Sequence, residues 1–275
     1  MQIFDRSQFV LFQEPRQTPY DLKFSFLGFP VRVHPAFFIM PIILGQSIFQ
    51  LADMLGVNMG VTLMVLTVVF FISILVHELG HTLAFRYFGI DSRILLYWMG
   101  GLAIPDSFGS WSGASNRSLN SNQQIVVSLA GPAAGFLLAA LFIAIVLALG
   151  GEIRTEPGFI PTFVPDMSET EFAGNGALFI FLFMGIWVNV FWNILNLAPI
   201  YPLDGGQAAR ELFMRFNYQN GLKYSLITGV VVGVLIALHG IQSGSTFMAF
   251  FFGYMAYTNY QMLNAFGGYG GGRPW

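Results

Sequence analysis

Residues 61–83 read VTLMVLTVVFFISILVHELGHTL. Up to Val76 the run is charge-free, and its length suits a helix crossing a hydrocarbon core, which takes about 20 apolar residues. It then meets His77, Glu78 and His81 before it ends. At about 100° per residue, His77 and His81 lie roughly 40° apart on one helix face, one turn from each other. A carboxylate deep in a bilayer costs at least about 2.5–3.5 kcal/mol. A polar cluster kept at that cost inside an apolar helix reads as a working site rather than an accident of composition.

Composition extends the reading to the whole chain. Hydrophobic residues make up 55% of the 275 and charged residues 9%, whereas a wetted globular surface needs about 25% charged residues. The chain is therefore predicted to be an all-α polytopic membrane protein in contact with a lipid bilayer. A net charge of -2 excludes a basic nucleic-acid binder, and the lack of cysteine excludes disulfides, thiolate metal sites and cysteine nucleophiles. Six transmembrane helices are expected, at 35–52, 61–83, 124–149, 177–197, 222–240 and 246–264. They divide the chain into an N-terminal segment 1–34, a membrane domain 35–264 and a Gly-rich tail 265–275. The stretch 22–33 reads as a short interfacial hairpin and 206–218 as a short interfacial helix. Residues 93–103 are apolar but broken by Gly100 and Gly101. They read as a short β-hairpin dipping into the membrane, which requires protein or water to satisfy its backbone. With six spans, Arg6, Arg16, Lys23, Arg32, Arg86, Arg93, Arg117, Arg210, Arg215, Lys223 and Arg273 fall on one side and Arg154 alone on the other. The positive-inside rule then makes both termini cytoplasmic.

The spacing of His77 and His81 lets two imidazoles reach one tetrahedral Zn²⁺, with Glu78 turned aside as a general base. A catalytic zinc takes a third protein ligand, leaving the fourth position to water. The other deep carboxylate is Asp204, in NLAPIYPLDGG at 196–206. Pro199 and Pro202 end the preceding helix and force an extended run, and Gly205 and Gly206 let the backbone turn behind the Asp. Spacing alone leaves Asp204 open between a third ligand and an ordinary Asp-Gly turn at the membrane surface.

HELGH in one span and NLAPIYPLDGG closing a later one resemble the site-2 protease family of intramembrane zinc metalloproteases. Gly100-Gly101-Leu102-Ala103, the small-residue run 130–135 (AGPAAG) and Asn189 add to the likeness, which covers roughly residues 28–262. The resemblance implies one zinc ion held by His77, His81 and Asp204, with Glu78 as catalytic base and a three-helix core within 61–206. It implies hydrolysis of a peptide bond in the transmembrane segment of another protein, in a bacterial or archaeal cell membrane. It also implies that the hairpin at Gly100 and Gly101 lends an edge strand to an unwound substrate. The 150–176 loop has no room for a PDZ insertion and no CBS pair follows the last span, so the expectation is a minimal member. Its substrate, and any membrane partner that regulates it, are not named by the sequence.

Three asparagines, Asn189, Asn193 and Asn196, form a polar stripe on the fourth span. Asn196 and Asn189 are the candidates for holding the scissile backbone or the developing oxyanion, and Asn193 ranks below them for interhelical hydrogen bonding. His34 and His239 sit at span ends and read as interfacial. Gly131 and Gly135 read as close helix packing. The rival function is an intramembrane metal transporter or sensor, which would need polar residues along a whole pathway; the outer halves of the second and fourth spans lack ionisable groups.

Overall fold

The computed structural model describes residues 14–105, 119–158 and 160–268. Beyond residue 268 the Gly-rich tail lies outside them, as do residues 1–13 of the N-terminal segment. The chain divides into two compact units, Met1–Arg117 with Ala130–Ile194, and Ser118–Leu129 with Leu195–Trp275.

The first unit is organised around the long helix α3 (Met59–Tyr87), preceded by β1 (Leu22–Phe26), β2 (Phe29–Val33), a 3-10 turn at Pro35–Phe38, α1 (Ile39–Leu44) and α2 (Gln46–Met54). Asn58 caps α3, its side chain accepting from the Val61 amide at 2.9 Å. The expected first span is thus broken: Pro35–Ile43 and Ile48–Met54 are bent by 65°. Gly45 at the break packs against Leu66 of α3, where a Cβ would lie 2.5 Å from Leu66 Cδ1. His34 starts the 3-10 turn, its Nδ1 accepting from the Ala36 amide at 3.1 Å, which is a structural use.

After α3 come β3 (Ser92–Tyr97) and β4 (Gly100–Pro105), the antiparallel hairpin expected at 93–103. It does not stand apart from the 22–33 hairpin. β2 pairs in parallel with β3, Val31 opposite Ile94, giving one four-stranded sheet in the order β1-β2-β3-β4. Val31, Val33, Ile94 and Leu96 of its inner face pack with Leu66, Val69, Phe70 and Ile74 of α3, and with Ile180, Met184 and Val188 of α5 (Gly176–Asn196). Arg86, near the end of α3, lays its guanidinium 3.5 Å over the Phe29 ring and donates to the Leu27 carbonyl. That fastens the β1–β2 turn to the helix.

Helix α4 (Ser121–Ala148) carries Pro132 inside it, tolerated in membrane helices where neighbours re-satisfy freed backbone groups. From Ala130 onward it belongs to this unit, and Phe142 packs on Phe181 and Gly185 of α5. The acidic 150–176 loop holds a hairpin the sequence did not announce, β5 (Glu152–Glu156) with β6 (Thr162–Asp166). There hydrogen bonds from the Ser168 backbone amide and then its side chain, and least of all the Arg154 charge, hold the Asp166 carboxyl below the usual carboxylate range.

The second unit contains α6 (Asp204–Phe216), α7 (Gly221–Gln242) and α8 (Thr246–Gly268). α6 occupies the expected interfacial segment and starts two residues earlier. α7 and α8 meet across a turn at Gly244 and pack through small residues: Gly229 on the Asn259 amide, Gly233 on Ala256, Gly240 on Ala249. By length and composition, four described helices can cross a membrane (α3, α4, α5 and α7), or five if the bent pair at 35–54 is one span. α8 is long enough, but Tyr257, Thr258, Asn259, Tyr260, Gln261 and Asn264 make its second half polar.

Candidate metal centre

α3 delivers His77, Glu78 and His81, each at most 6% exposed. The two imidazoles meet edge to face, ring centroids 4.9 Å apart, with Nε2 of one 3.2 Å from Nε2 of the other. Two nitrogens bound to one zinc at 2.0–2.1 Å and a tetrahedral angle stand about 3.3 Å apart. The pair is therefore spaced as zinc ligands are, by a helix turn that the sequence already specified.

Each ring is held by a neighbouring helix. On α5, Asn193 is 1% exposed and its Oδ1 lies 2.7 Å from His77 Nδ1, while its Nδ2 donates to the Asn189 carbonyl. On α4, Gly131 faces the His81 ring, where a Cβ would lie 2.5 Å from Cε1, and Gly135 faces the Asn193 amide. The small-residue run thus does more than bring helices together: it makes room for the site's own side chains.

Glu78 points to the other partner of α3. Gly101 of β4 packs directly on it, with room for no Cβ, which would sit 2.5 Å from Oε1 of Glu78. Gly100, at φ +118°, backs onto Trp192 of α5. β4 is the last strand of its sheet, so the candidate base lies beside the glycine at the start of an edge strand.

Asn189 is 1% exposed, and its Nδ2 donates to Ser73 Oγ and to the Gly185 carbonyl, each at 2.8 Å. Its donors are engaged inside the bundle between α3 and α5. Asn196 is the last residue of α5 and half-buried. Among the three asparagines, the one that touches a candidate ligand is Asn193, the one the sequence reading ranked lowest. A hint was available: Asn193 lies one turn from Asn189, and a metal-bound imidazole nearly always donates its second nitrogen to an acceptor.

In the second unit, Asp204 is 9% exposed and opens α6, with Leu203 at the cap position. The NLAPIYP run is folded by short-range bonds, Ile200 N to Ala198 O at 2.7 Å and Leu203 N to Ile200 O at 2.8 Å. Asn259 of α8 donates to the Tyr201 carbonyl at 2.6 Å. Gly205 and Gly206 are not a turn behind the Asp. They lie in the first turn of α6, where Leu197 O and the Ile200 backbone crowd the positions a Cβ would take. A carboxylate at a helix N-terminus is favoured by the helix dipole. His77, His81 and Asp204 are each buried and each offer one ligand atom, two imidazoles and a carboxylate, a donor set that suits catalytic zinc.

Residues 65–239 match peptidase family M50. A zinc metalloprotease of Methanocaldococcus jannaschii is 22% identical over 223 residues, 80% of this chain and 53% of the relative. A candidate zinc metalloprotease of Synechocystis sp. is 25% identical over 237 residues, 80% of this chain and 54% of the relative. The chain spans about half the length of these curated relatives. In fold it is similar to the solved site-2 protease from Methanocaldococcus jannaschii, with a TM-score of 0.50 at 21% identity, covering 89% of this chain and 95% of that one.

Proposed function

The chain belongs to peptidase family M50, and from that premise we propose that it is an intramembrane zinc metalloprotease. It hydrolyses a peptide bond in or near the transmembrane segment of a membrane-protein substrate. The observation that carries this reading is the 3.2 Å separation of the His77 and His81 Nε2 atoms beside a buried Glu78. His77 and His81 hold zinc, and Asp204 closes the ligand set as the third protein ligand.

Zinc, when bound, polarises the scissile carbonyl and makes a water acidic enough to deprotonate near neutral pH. Glu78 accepts that water's proton and returns it to the leaving amine. Its place beside Gly101 supports a substrate lying along β4, because an extended segment added to that edge would bring its carbonyls past the carboxylate. Asn196 is the side chain proposed to hold the substrate backbone or the developing negative charge. With both amide hydrogens of Asn189 engaged elsewhere, its part is to support α5 against α3.

Six crossings with cytoplasmic termini complete the proposal. The bent 35–54 pair counts as the first and α8 as the last. The distribution of Lys and Arg, eleven to one, supports the orientation. A membrane position for the sheet that includes the β3–β4 hairpin is supported by Phe24 of β1, whose ring lies 6.4 Å from that of Phe71, near the middle of α3. Cleavage of a reconstituted transmembrane substrate, with and without a zinc chelator, tests the function. Activity that survives complete removal of metal would overturn it.

A further inference from the structure

Behind His77 lies a chain of contacts that neither hydrolysis nor ligation requires on its face. Asn193 Nδ2 donates to the Asn189 carbonyl, and that bond orients the amide so that Oδ1, an acceptor, faces His77 Nδ1 at 2.7 Å. An acceptor opposite Nδ1 requires the proton to be on Nδ1, which leaves Nε2 with a lone pair. Nε2 is the atom turned toward His81. Asn193 cannot swing away, because Gly135 of α4 closes on its amide, with the site of a Cβ 2.5 Å from Asn193 Cγ. Nor can α5 rotate freely, because Asn189 is tied to Ser73 of α3 at 2.8 Å.

We propose that Asn193 is a positioning residue for the metal centre. Its Oδ1 accepts from His77 Nδ1–H, selects the tautomer that presents Nε2 to the metal, and fixes the ring plane against α4. The proposal rests on His77 being a zinc ligand, and it adds a role that the ligand set does not contain. Glu or Asp commonly fills this place in zinc sites, and losing such a partner typically weakens metal binding by about 10–100-fold. A neutral amide suits a bilayer-embedded site, where a further carboxylate would need its own compensation.

The test uses the purified full-length protein in detergent. Zinc affinity is measured by competition with a chromophoric chelator, and the visible spectrum is recorded with Co²⁺ in place of zinc. Asn193→Leu, of similar size but without an acceptor, should bind zinc about 10–100-fold more weakly and alter the Co²⁺ spectrum. Asn193→Asp keeps an acceptor but loses the donor to the Asn189 carbonyl, so it should bind zinc more tightly than Asn193→Leu and no more tightly than the unsubstituted protein. The Co²⁺ spectrum separates this role from packing, because loss of a merely space-filling side chain would leave the spectrum of the bound metal unaltered. Should Asn193→Leu fail to fold, Asn193→Ala takes its place: a tenfold or greater loss of zinc affinity with an altered Co²⁺ spectrum supports the role, and parental affinity overturns it. Unchanged affinity in Asn193→Leu would also overturn it while leaving the zinc reading intact. An unsubstituted protein that binds no zinc would instead remove the reading on which the proposal stands.

Discussion

Glu78 and the imidazoles flanking it share one turn of α3 but do separable work, and substitution should pull the tasks apart. Glu78→Gln keeps the shape and cannot accept a proton, so cleavage should fall by about 10²–10⁴-fold or more with zinc content unchanged. His77→Ala and Asp204→Ala remove proposed ligands and should lose zinc and cleavage together. Metal analysis of the purified variants separates the cases, and full zinc with full activity in Asp204→Ala would take Asp204 out of the ligand set. Gly101→Val adds atoms where the Glu78 carboxylate lies. It should abolish cleavage while zinc stays bound; normal cleavage would mean that β4 can yield. The histidine pair was legible from spacing because a helix sets the distance between residues four apart, whatever surrounds it. Which asparagine would meet His77 was not. That depends on how α5 is rotated against α3, which the Ser73–Asn189 bond and the seat at Gly135 decide.

The helices were read to within a few residues because apolar length announces them. The sheet was read only as two separate hairpins. Each hairpin is local, whereas the parallel pairing that joins them sets Val31 opposite Ile94 across the whole of α3. No short-range signal carries such a contact. The same limit hid the close approach of Gly45, at the break, to Leu66 of α3. The elements also predict how a substrate behaves. His77 lies about 26 Å along the second span from Gly60 at 1.5 Å per residue, which in the proposed orientation is the inner part of a core about 30 Å thick. A substrate carbonyl reaching that depth is hydrogen-bonded within its own helix, and freeing it in lipid costs several kcal/mol. Replacing Gly, Asn or Pro in the inner half of a substrate helix with Leu should therefore slow cleavage. Capture by a Glu78→Gln trap should stay largely intact. Cleavage rates indifferent to those changes, or a cut mapped to the outer leaflet, would show that unwinding at this depth is not the gate.

Orientation belongs to the molecule as a whole, since it is set by the sum of its loops rather than by any one of them. The six crossings proposed would place Lys23, Arg32, Arg86, Arg93, Arg210, Arg215 and Lys223 on one side and Arg154 opposite. Positive residues near span ends resist translocation, which is why the proposal puts the crowded side in the cytoplasm. Four helices meet the demands of length and apolarity outright, and a count of six then rests on both the bent 35–54 pair and α8 crossing. If just one of them fails to cross, the two termini lie on opposite sides. The absence of native cysteine lets single labels report each loop without background. In intact cells an impermeant thiol reagent should modify Ser168→Cys, beyond the β5–β6 hairpin and exposed. It should reach Gln219→Cys, in the exposed turn between α6 and α7, only after permeabilisation. The reverse pattern would invert the molecule and move the scissile depth to the opposite leaflet. Labelling of both sites in intact cells would instead mean that α5, the long helix between them, does not separate the two loops, and the crossing assigned to α5 would be the one to withdraw.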